Sequence, residues 1–261
     1  MTLDLHGTTT VVTGASSGLG TEFARVLAAR GSDLVLVARR GDRLAELQEE
    51  LGRGHGVRVH TLTLDLTRPD AAAVLSGYLA EHGIAVDSLV NNAGFATSGQ
   101  FADADPERVG DEVRLNVGAV VAVARALLPA ITGSGRGFVV NVSSMAAFQP
   151  IPGMAVYGAT KAFVLSFTEA LAHELRGTGV RVTALCPGPT RTEFFDVAAS
   201  PLAASASLAE APDVVRAAVR ALDARRTPTV VVPGRLNRLG VTVSRMLPRA
   251  VVVPLAARLA G

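Results

Sequence analysis

The residues best suited to chemistry are Tyr157 and Lys161, which stand four positions apart in the run YGATK. That spacing places both side chains on one face of a helix. A nearby ammonium favours phenolate and so lowers the pKa of a phenol, and proton transfer near neutral pH needs such tuning. Lys161 is the one lysine among 25 basic residues, the others being arginines. A compact ammonium beside a tyrosine therefore predicts proton transfer to or from a hydroxyl or carbonyl oxygen.

Ser144 closes the run NVSS after an apolar stretch, and its hydroxyl could hydrogen-bond the same oxygen atom. The alternative is a surface lysine, a core tyrosine and a serine in a turn, each of which is common by itself. Their joint occurrence at strand ends beside a glycine-rich loop favours a proton-transfer site.

That glycine-rich loop is the run TGASSGLG at residues 13–20. Glycine lets the backbone turn tightly or approach a pyrophosphate, and the start of a helix offers N–H groups to such an anion. The spacing G-x-x-x-G-x-G differs from the commoner G-x-G-x-x-G, and a merely structural turn is the alternative. Its place between a strand and a helix predicts a dinucleotide site formed by Gly14, Ser16, Ser17, Gly18, Leu19 and Gly20.

Two arginines, Arg39 and Arg40, follow the second predicted strand. A site for NAD usually has an acidic residue there, which binds the ribose 2′-hydroxyl, whereas arginine suits the 2′-phosphate of NADP. The sequence therefore predicts NADP(H). Alternatively, both arginines are solvated or pair with Asp42 and Glu46 on the next helix.

The third predicted strand leads to Asp65, which could accept a hydrogen bond from the adenine amine. Alternatively, its carboxylate caps a helix or forms a turn. Leu66 beside it is included in the predicted cofactor site.

The elements that position these residues follow from hydrophobic periodicity. Short β-branched runs, typical of buried parallel strands, alternate with stretches of helical apolar spacing. Such alternation predicts right-handed βαβ units in a single Rossmann-like α/β domain, with a doubly wound parallel sheet of about seven strands and helices on both faces. The predicted strands are Thr8–Thr13, Asp33–Ala38, Val57–Leu64, Ser88–Asn91, Gly137–Val142, Val180–Cys186 and Thr229–Val232, and the helical stretches are Gly18–Arg30, Asp42–Leu51, Ala71–Glu81, Pro106–Ile131, Ala155–Arg176 and Asp213–Asp223.

Composition excludes several classes of protein. The chain has 261 residues, 49% of them apolar and 18% charged, which excludes a mostly disordered protein. Its one cysteine, Cys186, excludes a disulfide scaffold, and its five histidines show no metal-ligand spacing, so no metal site is predicted. We find no secretory signal and no apolar run of the roughly 18 residues that a membrane span needs. We expect a cytoplasmic protein that binds small molecules and no nucleic acid.

Four motifs occur in the order typical of one enzyme family. They are TGASSGLG at residues 13–20, NNAG at 91–94, Ser144 followed thirteen residues later by Tyr157-x-x-x-Lys161, and PGPT at 187–190. Together they resemble the short-chain dehydrogenase/reductase family over residues 8 to about 233.

The resemblance implies a role for each motif. Tyr157 would be the general acid or base, Lys161 would lower its pKa and hold the nicotinamide ribose, and Ser144 would polarise the substrate carbonyl. Asn116, in the run RLNV, would organise a proton-relay water. The residues implied to lie against the cofactor are Tyr157, Lys161, Asn92, Ala93, Gly94, Pro187, Gly188 and Thr190.

These observations predict an NADP(H)-dependent oxidoreductase that moves a hydride between nicotinamide and a carbonyl or secondary alcohol. Residues 190–212 would form a substrate lid, whose Phe194 and Phe195 indicate a hydrophobic ketone unless both pack on the core. Three alternatives stay open: a membrane-associated reductase of long-chain 3-oxoacyl thioesters, an NADPH-binding sensor without turnover, and a purely structural interaction protein. The intact motifs argue against the last two.

Residues 235–261 form an apolar and basic extension, predicted to pack on the domain of residues 1–234. After Asp223 the chain has seven arginines and no acidic residue. This composition suits contact with anionic lipid, and it equally suits helices over the substrate pocket or against a partner subunit. Pro248 and Pro254 interrupt any long helix.

The family usually associates through the helix that carries the tyrosine, so the resemblance implies a homodimer or homotetramer. Here Phe163, Phe167 and Leu171 extend an apolar stripe along that helix. Ordinary packing against the sheet is the alternative.

Overall fold

A computed structural model describes residues 3–194, 198 and 208–260, with side chains up to residue 257 in the last helix. The strands are β1 (Thr9–Thr13), β2 (Asp33–Ala38), β3 (Val59–Thr63), β4 (Ser88–Asn91), β5 (Phe138–Val142), β6 (Arg181–Leu185), β7 (Thr190–Arg191), β8 (Ala209–Glu210) and β9 (Val230–Val231). The helices are α1 (Gly18–Ala28), α2 (Gly41–His55), α3 (Ala71–Glu81), α4 (Pro106–Val113), α5 (Val120–Ser134), α6 (Ala155–Glu174), α7 (Ala211–Leu222), α8 (Arg235–Met246) and α9 (Arg249–Ala260).

The main sheet has seven described strands in the order β3-β2-β1-β4-β5-β6-β9, and every neighbouring pair is parallel. The strand order reverses between β1 and β4, and ligands bind beyond the carboxyl ends of the strands at such a switch point. Every residue of β1, β4 and β5 is buried, because helices cover both faces. The predicted fold class is therefore confirmed.

Two apolar clusters stabilise the two faces of the sheet. One contains Phe23 and Leu27 of α1 with Leu44 of α2. The other contains Leu75 of α3 and Ile131 of α5. Together they hold the strand ends, and so the loops that follow them, at fixed positions.

The predicted helical stretch Pro106–Ile131 is interrupted. A π-helical segment, Arg114–Ala119, separates α4 from α5. Asp105 caps α4 by accepting a hydrogen bond from the Glu107 backbone N–H at 3.0 Å. Single π turns inside helices often accompany functional sites, and this one carries Asn116.

The joined run Pro106–Ser134 is long and apolar enough to cross a membrane by length and composition alone. Its inner face supplies Val123, Leu127 and Ile131 to the cluster against the sheet, which is the placement of a core helix. Polar residues divide this run into shorter apolar pieces, so no continuous apolar segment marks it in the sequence.

Residues 190–212, the predicted substrate lid, contain regular structure at both ends. β7 pairs in parallel with β8 through Thr190 with Ala209 and Arg191 with Glu210. Phe195 and most of the predicted lid lie outside the described residues.

Two further helices, α8 and α9, make up the C-terminal extension. Pro248 lies between them, as predicted, but Pro254 lies inside α9 and does not end it. The prediction for Pro254 is wrong because a proline in a helix removes one hydrogen bond and bends the helix without always ending it.

Candidate active site

The loop after β1 is fastened to the segment after β4. The Thr13 hydroxyl oxygen accepts hydrogen bonds from the backbone N–H groups of Asn92 at 3.0 Å and Ala93 at 3.1 Å. The Asn92 amide donates to the carbonyl oxygens of Thr13 at 3.0 Å and Gly14 at 3.1 Å. Asn92 therefore holds the loop with its side chain, in addition to lining the cavity beside it.

Glycine is required at two positions of this loop. Gly14 has φ +64°, and a Cβ there would lie 2.8 Å from the Ala93 Cα. A Cβ on Gly20 would lie 2.2 Å from the Gly14 carbonyl oxygen. Ser17 precedes α1 without a side-chain cap. Because no side chain caps them, the first amides of α1 are available to an anionic group, so the loop fits the pyrophosphate of a dinucleotide.

The two arginines after β2 differ in their contacts. The Arg40 guanidinium pairs with Glu193 at 2.8 Å and donates to the Ser16 hydroxyl at 3.2 Å. Its partner is therefore neither Asp42 nor Glu46, because the segment after β7 brings Glu193 over the loop. Arg39 is exposed at the cavity, and among the described residues its side chain has no hydrogen-bond or ion-pair partner.

Asp65 lines the same cavity, but one carboxylate oxygen is already engaged in a turn. Its Oδ1 accepts from the Thr67 backbone N–H at 2.9 Å and from the Thr67 hydroxyl at 2.8 Å. These bonds, together with Arg39 and Arg68, hold the pKa of Asp65 below its usual range despite burial, the largest single influence, which acts in the opposite direction. The carboxylate is thus charged at neutral pH.

Tyr157 and Lys161 lie on the inner face of α6, opposite the end of β5. The Lys161 ammonium donates to the Val142 carbonyl oxygen at 2.9 Å, and the Ser143 hydroxyl donates to the Lys161 carbonyl oxygen at 2.8 Å. The Ser144 hydroxyl lies near the Tyr157 side chain and acts to lower its pKa. These bonds join β5 to α6 and bring the three predicted catalytic groups together.

Burial controls the protonation of this pair. It raises the pKa of Tyr157 to about 12 and lowers the pKa of Lys161 to about 8, since a buried site disfavours the charged form of each group. Lys161 is not among the groups that shift the pKa of Tyr157 in this structure, so its expected role in lowering that pKa stays a prediction. Tyr157 therefore holds its proton at neutral pH.

Asn116 lies behind this pair, in the π-helical segment. Its amide donates to the Phe95 carbonyl oxygen at 2.8 Å and to the Thr160 hydroxyl at 3.1 Å, while its oxygen accepts from the Phe95 N–H at 3.1 Å. A Cβ on Gly94 would lie 2.8 Å from the Asn116 oxygen and 3.3 Å from the Lys161 ammonium nitrogen. Asn116 is thus fixed next to Lys161.

Glu112 is a buried acid that no motif in the sequence indicates. Its Oε2 accepts from the Thr97 N–H at 3.0 Å and from the Thr97 hydroxyl, whereas Oε1 is enclosed without a hydrogen-bond partner. Burial raises the pKa of Glu112. It stands four residues before Asn116, on the side of α4 that faces the core. The one sequence signal for its burial is this position, on the inward face of the predicted helix.

We expect Glu112→Gln to stabilise the fold increasingly as pH rises. A raised folded pKa means that the folded chain binds the proton more tightly, so stability falls as pH rises from the unfolded to the folded pKa. Glutamine keeps an acceptor for Thr97 and carries no charge, so the variant is more stable than wild type above that range. Thermal melts from acidic to alkaline pH measure it.

The matched control is Glu46→Gln, at an exposed position of α2. It should leave the pH dependence of the melting temperature unchanged. Identical pH dependence in wild type and Glu112→Gln would contradict the assignment of a buried, destabilising carboxylate.

Cys186 stays outside this chemistry. Its side chain is fully buried at the end of β6, and burial raises the thiol pKa to about 12. In the part of the chain that the structure describes, no group of three metal-ligating side chains comes together.

One cavity of about 530 Å³ joins the loop, the two arginines and the Tyr157 group. Every residue predicted for the site lines it except Gly20 and Asn116, which lie directly behind its wall. The side beyond Tyr157 is lined by apolar residues: Met145, Ala146, Ile151, Met154 and Phe194. The cavity therefore has a polar half suited to a dinucleotide and an apolar half beside the tyrosine.

Comparison with known proteins agrees with this arrangement. The profile of the short chain dehydrogenase family matches residues 8–201. Sulfoacetaldehyde reductase 2 of Chromohalobacter salexigens is 44% identical over 186 residues, which cover 70% of this chain and 73% of the relative.

Solved structures extend the similarity to the fold. A short-chain dehydrogenase from Sphingobium yanoikuyae in complex with NADPH has a TM-score of 0.81 and 37% identity, covering 93% of this chain and 97% of that chain. A bulky-bulky ketone specific alcohol dehydrogenase from Comamonas testosteroni has a TM-score of 0.76 and 31% identity, covering 93% and 96%. A short chain dehydrogenase/reductase from Burkholderia phymatum in complex with NAD has a TM-score of 0.82 and 28% identity, covering 92% and 93%. From the site and these matches together, the chain belongs to the short-chain dehydrogenase family and is a nicotinamide-dependent oxidoreductase.

Proposed function

We propose that this chain is an NADP(H)-dependent carbonyl reductase or alcohol dehydrogenase that acts on hydrophobic ketones or their alcohols. The observation that carries the proposal is the shared cavity, in which Ser144, Tyr157 and Lys161 lie between the dinucleotide loop and an apolar pocket. A carbonyl bound there would meet an acid, a hydrogen-bond donor and a cation.

The proposed mechanism assigns one task to each of these residues. The bound nicotinamide supplies or accepts the hydride. Tyr157 donates its hydroxyl proton to the carbonyl oxygen in reduction, and the Ser144 hydroxyl donates a hydrogen bond to the same oxygen. The Lys161 ammonium, held at 2.9 Å from the Val142 carbonyl oxygen, stabilises the negative charge left on the tyrosine oxygen.

The apolar half of the cavity supports a hydrophobic substrate. The Phe194 ring lies 5.3 Å from the Tyr157 ring, centroid to centroid, and Ile151 and Met154 continue the same wall. Such a wall binds alkyl or aromatic groups of a ketone by excluding water from them. The bulky ketone specificity printed for the Comamonas testosteroni enzyme agrees with this choice.

Arg39 supports NADP(H) as the cofactor. Its guanidinium lies at the cavity end of β2, forms no hydrogen bond or ion pair with the described residues, and adds positive charge where the 2′-phosphate would lie. The Sphingobium yanoikuyae structure is a complex with NADPH, whereas the Burkholderia phymatum structure is a complex with NAD. Because these relatives differ in cofactor, the choice of NADP(H) for this chain rests on Arg39.

We expect Arg39→Asp to weaken NADPH binding by about 10- to 100-fold and to leave NADH binding unchanged or tighter. A hydrogen bond to a charged group contributes about 1.5–3 kcal/mol, and the new carboxylate would repel the 2′-phosphate while suiting a 2′-hydroxyl. Fluorescence titrations with both cofactors measure the change. Arg53→Asp, at an exposed position of α2 that does not line the cavity, is the matched control. An unchanged NADPH affinity in Arg39→Asp would refute the assigned contact.

The reaction itself is tested by following NADPH absorbance with a panel of small ketones, sugars, steroids, quinones and 3-oxoacyl thioesters. The proposal expects turnover that increases with the apolar surface of the ketone. Turnover confined to sugars or other small polar carbonyls would overturn the substrate class, and confirmed NADPH binding without any turnover would favour a sensor.

We also propose a homo-oligomer. Phe163 is exposed on α6 and stacks against Phe167 at 6.2 Å between ring centroids, whereas Leu171 is buried in the core. The exposed Phe163 thus supports association through this helix. Leu171 instead packs against the sheet, as the alternative interpretation of the stripe expects. Light scattering on the purified chain measures the mass.

A further inference from the structure

The C-terminal helices α8 and α9 expose an apolar stripe. Along α8 it consists of Leu236, Leu239, Val243 and Met246, whose side chains are 83%, 62%, 46% and 79% exposed. Their spacing of three, four and three residues places them on one face of the helix. With Leu247, Val251 and Leu255, they make up seven of the eleven exposed large apolar side chains in the part of the chain that the structure describes.

The opposite face fastens these helices to the domain. Val241 of α8 is buried, as are Val252 and Ala256 of α9. The Asn237 amide donates to the Pro233 carbonyl oxygen at 2.8 Å, and a Cβ on Gly188 would lie 2.8 Å from its nitrogen. The exposed stripe is therefore the outer face of a helix whose inner face is already occupied.

The inner face of α8 also lies near the active-site cavity. The Arg245 guanidinium lies 4.8 Å from the centre of the Phe148 ring, on the short helical turn that follows Ser144. Met145 on that turn lines the cavity and lies 4.0 Å from the position of a Cβ on Gly240. Whatever binds the stripe is thus held next to the cavity.

The charge around the stripe has one sign. After Asp223 the chain has seven arginines and no aspartate or glutamate. Arg235, Arg238 and Arg249 are exposed, and among the described residues none of them forms an ion pair with an acidic side chain. A second copy docked stripe to stripe would set these arginines against their own copies, which is unfavourable.

We propose that the outer face of α8 and α9 docks on an anionic phospholipid bilayer. An amphipathic helix with leucine and methionine on one face and arginine beside it lies in the interface, with its apolar side chains among the acyl chains. Each arginine near such a surface strengthens binding further. The family profile ends at residue 201, so this surface belongs to a part of the chain beyond the matched region.

Vesicle flotation of the full-length protein tests the proposal without any assay of turnover. We expect binding to vesicles of phosphatidylcholine with phosphatidylglycerol at low salt, weaker binding at high salt, and little binding to phosphatidylcholine alone. Leu236→Glu should lower the partition coefficient on the order of 10-fold, since it removes one apolar anchor and adds a repelled charge. Arg238→Glu should lower it by a similar factor.

Two matched variants control for general effects of charge. Val74→Glu puts the same acid at an exposed apolar position of α3, and Arg53→Glu reverses an exposed charge on α2. Both should bind within about twofold of wild type. Circular dichroism confirms that all four variants fold.

Three results would overturn the proposal. One is the absence of binding to either vesicle. Another is equal loss in Val74→Glu or Arg53→Glu, which would place the lipid contact elsewhere. The third is binding that neither anionic lipid nor salt affects. Light scattering on the same samples tests whether a second copy of the chain covers the stripe instead. In that case wild type would bind no vesicles, and Leu236→Glu would reduce the mass of the oligomer.

Discussion

Replacing Tyr157 by phenylalanine is expected to lower kcat by roughly 10²- to 10⁴-fold, the usual contribution of a general acid. The substitution removes one hydroxyl group and keeps the ring that packs 5.3 Å from Phe194. The Lys161 ammonium and the glycine-rich loop stay in place, so NADPH binding should change by less than about twofold. Steady-state rates and a fluorescence titration of NADPH, measured on the same preparation, separate the two effects.

The pH dependence of the wild-type enzyme gives the same residue a second test. Because burial raises the pKa of Tyr157 to about 12, the phenol is protonated throughout the neutral range and is ready to donate in reduction. Oxidation of an alcohol needs the deprotonated form, so its rate should rise with pH in the range where Lys161 keeps its charge, below about pH 8. Tyr157→Phe should remove this rise.

Tyr78→Phe is the matched control, because the chain has only two tyrosines. Tyr78 stacks on His82 at 4.1 Å between ring centroids, on a helix that carries no residue of the candidate site. Its loss should leave kcat unchanged. If Tyr157→Phe retains turnover within a factor of about 10, another group donates the proton and the proposed mechanism fails.

The sheet could be predicted from the sequence because its strands are buried on both faces. β2 reads DLVLVA and β5 reads FVVNV, and such continuous apolar runs belong to parallel strands covered by helices. The helix starts were less predictable: α2 and α7 begin one and two residues before the predicted positions, Asp42 and Asp213. Helix ends depend on caps and tertiary contacts, which a periodic pattern does not contain.

Contacts between segments distant in sequence could not be predicted. Arg40 and Glu193 are 153 residues apart, and only the path of the chain after β7 brings them together. Asn91 donates to the Asn141 side chain at 3.0 Å, and Asn141 donates to the Thr168 hydroxyl at 2.9 Å, which forms a buried polar chain across β4, β5 and α6. Each residue by itself is one polar interruption in an apolar run.

The protonation of the candidate site shows the same limit. The spacing of Tyr157 and Lys161 indicates that the two side chains share a helix face, and the structure agrees. Spacing contains no information about solvent, so it could not show that burial would dominate both pKa values. Charge patterns in a sequence predict which groups meet, whereas the direction of a pKa shift depends on how much water reaches them.

Lys161→Met is the second substitution with a large expected effect, a fall in kcat of about 10²-fold or more. Methionine is of similar length and fills the buried site, but it removes the cation that stabilises charge on the tyrosine oxygen. NADPH affinity should also fall, by about 10-fold, because the ammonium is the proposed donor to the nicotinamide ribose. The substitution removes the hydrogen-bond donor to the Val142 carbonyl oxygen, which destabilises the fold, and it removes a buried charge, which stabilises the fold. Because the two effects oppose each other, the melting temperature should stay near that of wild type.

The pH profile distinguishes the loss of this cation from a loss of shape. Burial lowers the pKa of Lys161 to about 8, so the ammonium is present below that pH and is lost as pH rises through it. Reduction by the wild-type enzyme should therefore decline above about pH 8, while Tyr157 still holds its proton. Lys161→Met has no group to titrate there, and its small residual rate should stay level across the same range. A decline near that pH that persists in Lys161→Met would assign the titration to another group and would remove the lysine charge from the proposed mechanism.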